Sequence, residues 1–211
     1  MGLPEDGFVF CAINRSYKID PQVFEIWMRL LKKKPNSVLW LVMSNKASKM
    51  NLIKQAQRQG VKAERLVFSE KVEYEKYLAQ FRQADLFLDT FIYNAGATAS
   101  NALWAGLPVL TKSGKSYTSR MAGSLLNAIG LPELITTTDE EYESLALDLA
   151  QNREKLNRIR NTLLRNLKTN PLFNTERYTR NLELGFEMAY DFHWQGKGPE
   201  HIIVTDKTSQ N

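Results

Sequence analysis

NAGATASNALWAGLPVL, residues Asn94 to Leu110, is poor in bulk and rich in turn chemistry. It follows an apolar strand ending Leu86-Phe87-Leu88-Asp89, turns through small residues, and is predicted to start a short helix near Ser100. A second strand is expected from Pro108 to Thr111. Ala, Gly, Thr and Ser have little to pack a core with. They leave backbone N–H groups and hydroxyls bare at a helix N-terminus, where the partial positive charge attracts phosphate. Two readings follow from these residues alone: a diphosphate cradle, or a tight strand-to-helix turn that holds no ligand.

Working outward, short apolar runs alternate with helical patterns. FVFCAI (Phe8 to Ile13), SVLWLVM (Ser37 to Met43), Arg65 to Ser69 and Leu86 to Leu88 read as buried strands. Between them, Asp20-Pro21 is an N-cap followed by proline at the first helical position. Val23, Phe24, Trp27, Leu30 and Leu31 then recur at helical spacing. A second helix is expected from Ala47 to Gln59, closed by Gly60. A third runs from Glu73 to Gln83 with Tyr74, Tyr77, Leu78 and Phe81 inward, and a later one from Ser119 to Ile129 is stopped by Gly130. Leu134-Ile135 is a short last strand, and beyond Asp139 the pattern is helical: Glu140 to Ala150, Arg153 to Lys168 and Thr175 to Phe192.

This alternation predicts an α/β fold, a Rossmann-like three-layer parallel sheet with right-handed crossovers and C-terminal helices. One domain is expected over residues 1–195, its C-terminal helices beginning near 139, followed by a loose polar tail at 196–211. Ligands of such sheets bind outside the carboxyl ends of the strands. Three polar loops leave those ends: Asn14 to Lys18, Glu70 to Glu75, and Thr90 to Ser100.

A chain of 211 residues with net charge +5 suits an anionic ligand, but its basic residues are too scattered for a nucleic-acid surface. Cys11 stands alone, so there is no disulfide framework and no sulfur metal site, which fits a reducing compartment such as the cytoplasm. No apolar run approaches a membrane span, and Met1 to Gly7 is unlike a signal peptide. Gly114-Lys115-Ser116 imitates the end of a P-loop, but the position that should hold its first glycine is Val109. No GxGxxG follows the first strand. His193 and His201 lie in or beside the tail, so the sheet loops contain no histidine base and no metal cluster, and no metal is expected.

Lys18 sits five residues past the first strand, where an ammonium can reach a diphosphate as a point charge or simply stay in solvent. Arg153, Arg158, Arg160 and Arg165 form a basic helix best read as a solvated face. Trp27, Trp40 and Trp104 fall on apolar faces and are assigned to the core. Tyr77 either stacks a base at the sheet edge or packs inward.

Taken in order, GFVFCAINRSYKIDP, PNSVLWLV, RLVFS, ADLFLDT, GATASNALWAGLPVLT, SRMAGSLLNAIGL and PLFNTERYTRNLE resemble the C-terminal catalytic half of the O-linked N-acetylglucosamine transferases, a family that includes the SPINDLY proteins. The resemblance spans about Leu3 to Asp191. It implies one half of a two-Rossmann-domain (GT-B) glycosyltransferase, the half that binds a nucleoside-diphosphate sugar, with UDP-N-acetylglucosamine as the expected donor and a protein serine or threonine as acceptor. No further cofactor is implied. Carried over by position, Lys18 holds the diphosphate, with Asn14 and Arg15 beside it. Ala97, Thr98 and Ala99, between Gly96 and Ser100, match a threonine-rich loop that wraps the phosphates. The backbone of Val72 meets the base, Tyr77 flanks it, and Asn101 stands at the ribose hydroxyls.

The chain departs from the family pattern in this loop. Gly96 stands where a histidine is frequent, Ala97 where the first of two threonines is expected, and Tyr77 where a histidine flanks the base. Asn101 replaces an acidic residue. An amide still bonds a hydroxyl but gives up charge assistance, about 1 kcal/mol. The family's N-terminal catalytic half, with its histidines, and its tetratricopeptide repeats have no counterpart among these residues, so no catalytic residue is assigned. The expected partner is that complementary half. Catalysis by this half alone is not expected, and a non-catalytic binding or interaction module on the same fold is the alternative. A nucleotide-sugar epimerase ranks last, because it needs catalytic carboxylates and histidines in a two-domain chain.

Overall fold

The computed structural model describes residues 2–42 and 45–205, so the predicted strand end at Met43, Met1, and the tail beyond 205 lie outside the described residues. Six parallel strands form one sheet: β1 (Phe8–Ala12), β2 (Ser37–Val42), β3 (Leu66–Ser69), β4 (Leu86–Leu88), β5 (Val109–Lys112) and β6 (Ile135–Thr136). Their order is β3-β2-β1-β4-β5-β6. β1 is wholly buried and pairs with β2 from Phe8↔Ser37 to Ala12↔Leu41, and with β4 at Cys11↔Phe87. The order reverses between β1 and β4, which opens a crevice at their carboxyl ends.

The helices are α1 (Pro21–Lys33), α2 (Lys46–Arg58), α3 (Tyr74–Gln80), α4 (Ala97–Trp104), α5 (Met121–Ile129), α6 (Asp139–Gln151), α7 (Arg153–Thr169) and α8 (Thr175–Trp194). Their starts are written in side chains. Asp20 accepts the Val23 N–H at 3.0 Å, Asn45 and Ser48 close a capping box, and so do Thr138 and Glu141. α5 ends on Gly130 at φ +74°, and Gly60 after α2 has φ +77°, a region that favours glycine. The strands and helices enclose a core with Phe10, Trp27, Trp40, Phe87 and Tyr142 essentially inaccessible to water.

Several boundaries and faces differ from the sequence reading, each for a visible reason. α4 begins at Ala97, earlier than Ser100, because Gly96 already serves as its N-cap. Arg65 leaves the third strand for a 3-10 turn (Ala63–Arg65), where its guanidinium donates to the Leu31 and Lys34 carbonyls at 2.8 and 2.9 Å and to that of Ser37. Trp104 is not core: it is 55% exposed and meets Phe173 edge-on at 5.1 Å. Tyr74, expected inward, is 61% exposed, while Phe81 is buried as expected in a 3-10 turn after α3. Residues 197–204 carry no regular structure, and Val204 comes back against Gly185 of α8.

The basic helix α7 is only partly a solvated face. Arg158 and Arg165 are exposed, but Arg160 donates to the carbonyls of Ala84 and Asp85 at 3.0 and 3.2 Å. Asp85 in turn accepts the Val9 N–H at 2.9 Å and pairs with Arg153 at 3.0 Å. Arg160 therefore pins α7 to the entry of β4. Arg160→Ala is expected to lower unfolding free energy by about 1–2 kcal/mol, readable as a shifted urea midpoint, since two carbonyls lose a charged donor.

Candidate functional site

The switch point places the loop after β1 beside the loop after β4. Residues 90–96 form a closed turn held from within. The Asp89 carboxylate accepts the N–H groups of Thr90 and Ala95 at 2.8 and 2.7 Å through Oδ1, and the Thr111 hydroxyl at 2.7 Å through Oδ2. Asn94 donates to the Thr90 carbonyl at 2.6 Å, and Thr90 to that of Tyr93 at 2.7 Å. The turn delivers the chain to Gly96, and α4 starts with no side-chain cap on its first N–H groups.

A cleft of about 540 Å³ opens here. Of the predicted site residues, Asn14, Arg15, Val72, Tyr77 and Thr98 line it. Asn14 is 5% exposed, and its Nδ2 is buried without a partner, a donor left for something in the cleft. Tyr77 is partly inward and partly on the cleft. It packs edge-on against Phe81 at 4.9 Å and still lines the cleft, and burial raises its phenol above the usual value against bonds to Asn101 and Thr98.

Lys18 lies on the loop side. Its Nζ donates to the Asn94 carbonyl at 2.9 Å and stands 3.9 Å over the Tyr93 ring. Burial lowers its pKa, opposed by the nearby charge of Asp89. Lys18 is thus neither a free surface lysine nor a wall of the cleft; it is docked on the small-residue loop. Ala97 is exposed, whereas the Ala99 side chain is fully buried, so only its backbone is available to a ligand. Ser100 and Asn101 face an adjoining groove shared with Tyr74, Trp104 and Tyr178, and the Tyr74 hydroxyl donates to Asn101 Oδ1 at 3.2 Å.

Four contributors were not singled out as site residues in the sequence. Gln80, 7% exposed, lines the cleft one turn beyond Tyr77, where an amide at an inward helical position is the available signal. Glu70 and Lys71 line it as well. Asp89 is the most consequential. It is completely buried with a pKa raised to about 7, chiefly by burial, against the Ala95, Thr111 and Thr90 bonds and the charge of Lys18. An acid ending an apolar strand was the sign. Among the described residues no group of three His, Cys, Asp or Glu side chains could hold a metal ion, and no helix is long and apolar enough to cross a membrane.

The sequence model of glycosyl transferase family 41 matches residues 1–182. The chain belongs to glycosyltransferase family 41. This family-41 chain is 36% identical over 206 residues to the probable UDP-N-acetylglucosamine–peptide N-acetylglucosaminyltransferase SEC of Arabidopsis thaliana, covering 97% of itself and 21% of that relative. It is 32% identical to the UDP-N-acetylglucosamine–peptide N-acetylglucosaminyltransferase of Caenorhabditis elegans, covering 98% of itself and 18% of that protein. Among solved structures, a mutant O-GlcNAc transferase of Thermobaculum terrenum superposes with TM-score 0.74 at 32% identity, over 79% of this chain and 34% of that one. The chain spans about a fifth of the length of the curated relatives it matches. Its sheet is the Rossmann-like half of the GT-B plan, as the sequence implied.

Proposed function

We propose that this family-41 domain binds the nucleoside diphosphate of a sugar donor, UDP-N-acetylglucosamine, and is the donor half of an enzyme that glycosylates serine or threonine on proteins. The observation that carries this reading is the switch-point cleft. There the unpartnered Asn14 amide and Thr98, in the uncapped first turn of α4, line a single space, and the Lys18 ammonium is docked on the loop that leads into that turn. A buried amide donor, a cation and helix N–H groups are complementary to a diphosphate. Val72 and Tyr77, farther along the cleft, offer a backbone and a ring face to the base. Supporting the departing diphosphate is the contribution such a site makes to glycosyl transfer.

Lys18 then exchanges the Asn94 carbonyl for a phosphate oxygen, a stronger partner for a partly desolvated ammonium. Lys18→Ala is expected to weaken UDP binding about tenfold, the worth of one charge-assisted contact. Calorimetry showing the wild-type affinity in the variant would remove Lys18 from the site. The acidic and basic groups for transfer itself belong, in this reading, to a complementary catalytic half, and the protein is placed in the cytoplasm. A non-catalytic module is favoured by one observation: Asn101, at the ribose position, is already held by Tyr74. Donor hydrolysis by this chain combined with a complementary half separates the two, since persistent inactivity with tight UDP binding supports the module.

A further inference from the structure

We infer that Asp89 is the positioning residue of the phosphate loop, its Oδ1 gripping two backbone N–H groups to set the path by which α4 points into the cleft. This rests on the donor-site reading above for its purpose, and on the geometry alone for the grip. Oδ1 takes both loop donors, Thr90 N at 2.8 Å and Ala95 N at 2.7 Å, while Oδ2 takes only the Thr111 hydroxyl of β5. The two oxygens therefore have separate duties, one to the loop and one to the sheet.

The surroundings hold Asp89 from every side. The Tyr142 hydroxyl of α6 donates to its backbone carbonyl at 3.0 Å, and the Asp89 N–H donates to the Leu110 carbonyl of β5 at 3.0 Å. Lys18 and Tyr142 are the titratable groups facing it. A wholly buried carboxylate is costly to keep ionised, and costly buried charges concentrate where a protein uses them. Here the use is visible. With Ala95 held, the next residues turn through Gly96 into the uncapped first turn of α4, and Lys18 closes the other side of the same loop on Asn94.

The division of labour makes the grip testable by variants that keep one duty and lose the other. Asp89→Asn retains an Oδ1 acceptor for the loop and turns an N–H₂ toward Thr111, whose hydroxyl can reverse. Asp89→Ala removes both. Thr111→Val removes only the Oδ2 partner. Amide hydrogen exchange and UDP calorimetry on the same samples read loop and ligand separately. Asp89→Ala is expected to speed exchange at Thr90 and Ala95 at least tenfold beyond any global change and to weaken UDP about tenfold. Asp89→Asn and Thr111→Val should stay within about threefold in loop exchange.

Should Asp89→Ala fail to fold, wild-type NMR decides: the Ala95 amide proton shift must follow the titration of the Asp89 carboxyl carbon. An Ala95 shift that ignores that titration overturns the inference. So does unchanged loop exchange in a folded Asp89→Ala, an Asn variant as loose as the Ala variant, or a loosened loop with unaltered UDP affinity. If wild-type protein binds no UDP, the donor reading fails, while the exchange and shift data still rule on the grip.

Discussion

Tyr142→Ala is expected to cost about 3–5 kcal/mol of folding stability, in the range for emptying a buried aromatic site. Tyr142 sits on α6 with no exposure and meets Phe91 edge-on at 4.9 Å. Its hydroxyl accepts from Trp27 Nε1 of α1 at 3.3 Å and donates to the Asp89 carbonyl at 3.0 Å. One residue thus joins two helices to the strand end that carries the loop into α4. Tyr142→Phe keeps the ring and strips the hydroxyl, leaving a buried indole N–H and a carbonyl short of a partner, for about 1–3 kcal/mol. Denaturant unfolding of the pair separates packing from hydrogen bonding. Equal losses in the two variants would contradict this division.

Stability is expected to rise as pH falls from about 8 to about 5, by about 2 kcal/mol. Burial raises Asp89 to about 7 in the folded chain, whereas an unfolded aspartate titrates near 3.8. Between those values the folded state binds the proton and the unfolded state does not, so acidification favours folding. The gain is complete once the unfolded carboxyl is also protonated. Asp139 and Glu143 have the opposite sign. Against the cost of burial, Lys112 and Gln22 hold Asp139 below its usual value, and Arg29 and Lys33 do the same for Glu143. Their contributions are lost only as pH falls below about 4, outside the Asp89 window. Urea midpoints across the range should climb toward acid in the wild type and stay flat in Asp89→Asn. A midpoint that falls steadily from about pH 8 would refute the assignment.

The architecture was legible because local signals agreed with one another. Asp20-Pro21, Gly60 and Gly130 punctuate helices exactly where apolar periodicity starts and stops, and FVFCAI has no reading but a buried strand. Faces were harder. Trp104 and Tyr74 look like core by type, yet helical phase at the short α3 and α4 turns them outward, where Phe173 and Asn101 receive them. Arg160 looks like a surface charge, and only the tertiary course of α7 over Ala84 and Asp85 reveals its anchor role. At the candidate site, five of the residues carried over by the family resemblance meet on one cleft. The resemblance did not indicate that Lys18 is docked on Asn94, or that Asp89 holds the loop. Both depend on which strands are neighbours in space, and the switch between β1 and β4 joins segments some 75 residues apart (Lys18 and Asn94 are 76 apart).

The central claim is that a nucleoside diphosphate occupies the switch-point cleft with its phosphates at the start of α4. Titrating isotopically labelled protein with UDP and following amide shifts tests it residue by residue. The expected result is saturable movement of the Ala97, Thr98 and Ala99 backbone amides, of the Asn14 side-chain amide, and of Val72. Saturating UDP that leaves the α4 amides and Asn14 in place would contradict it.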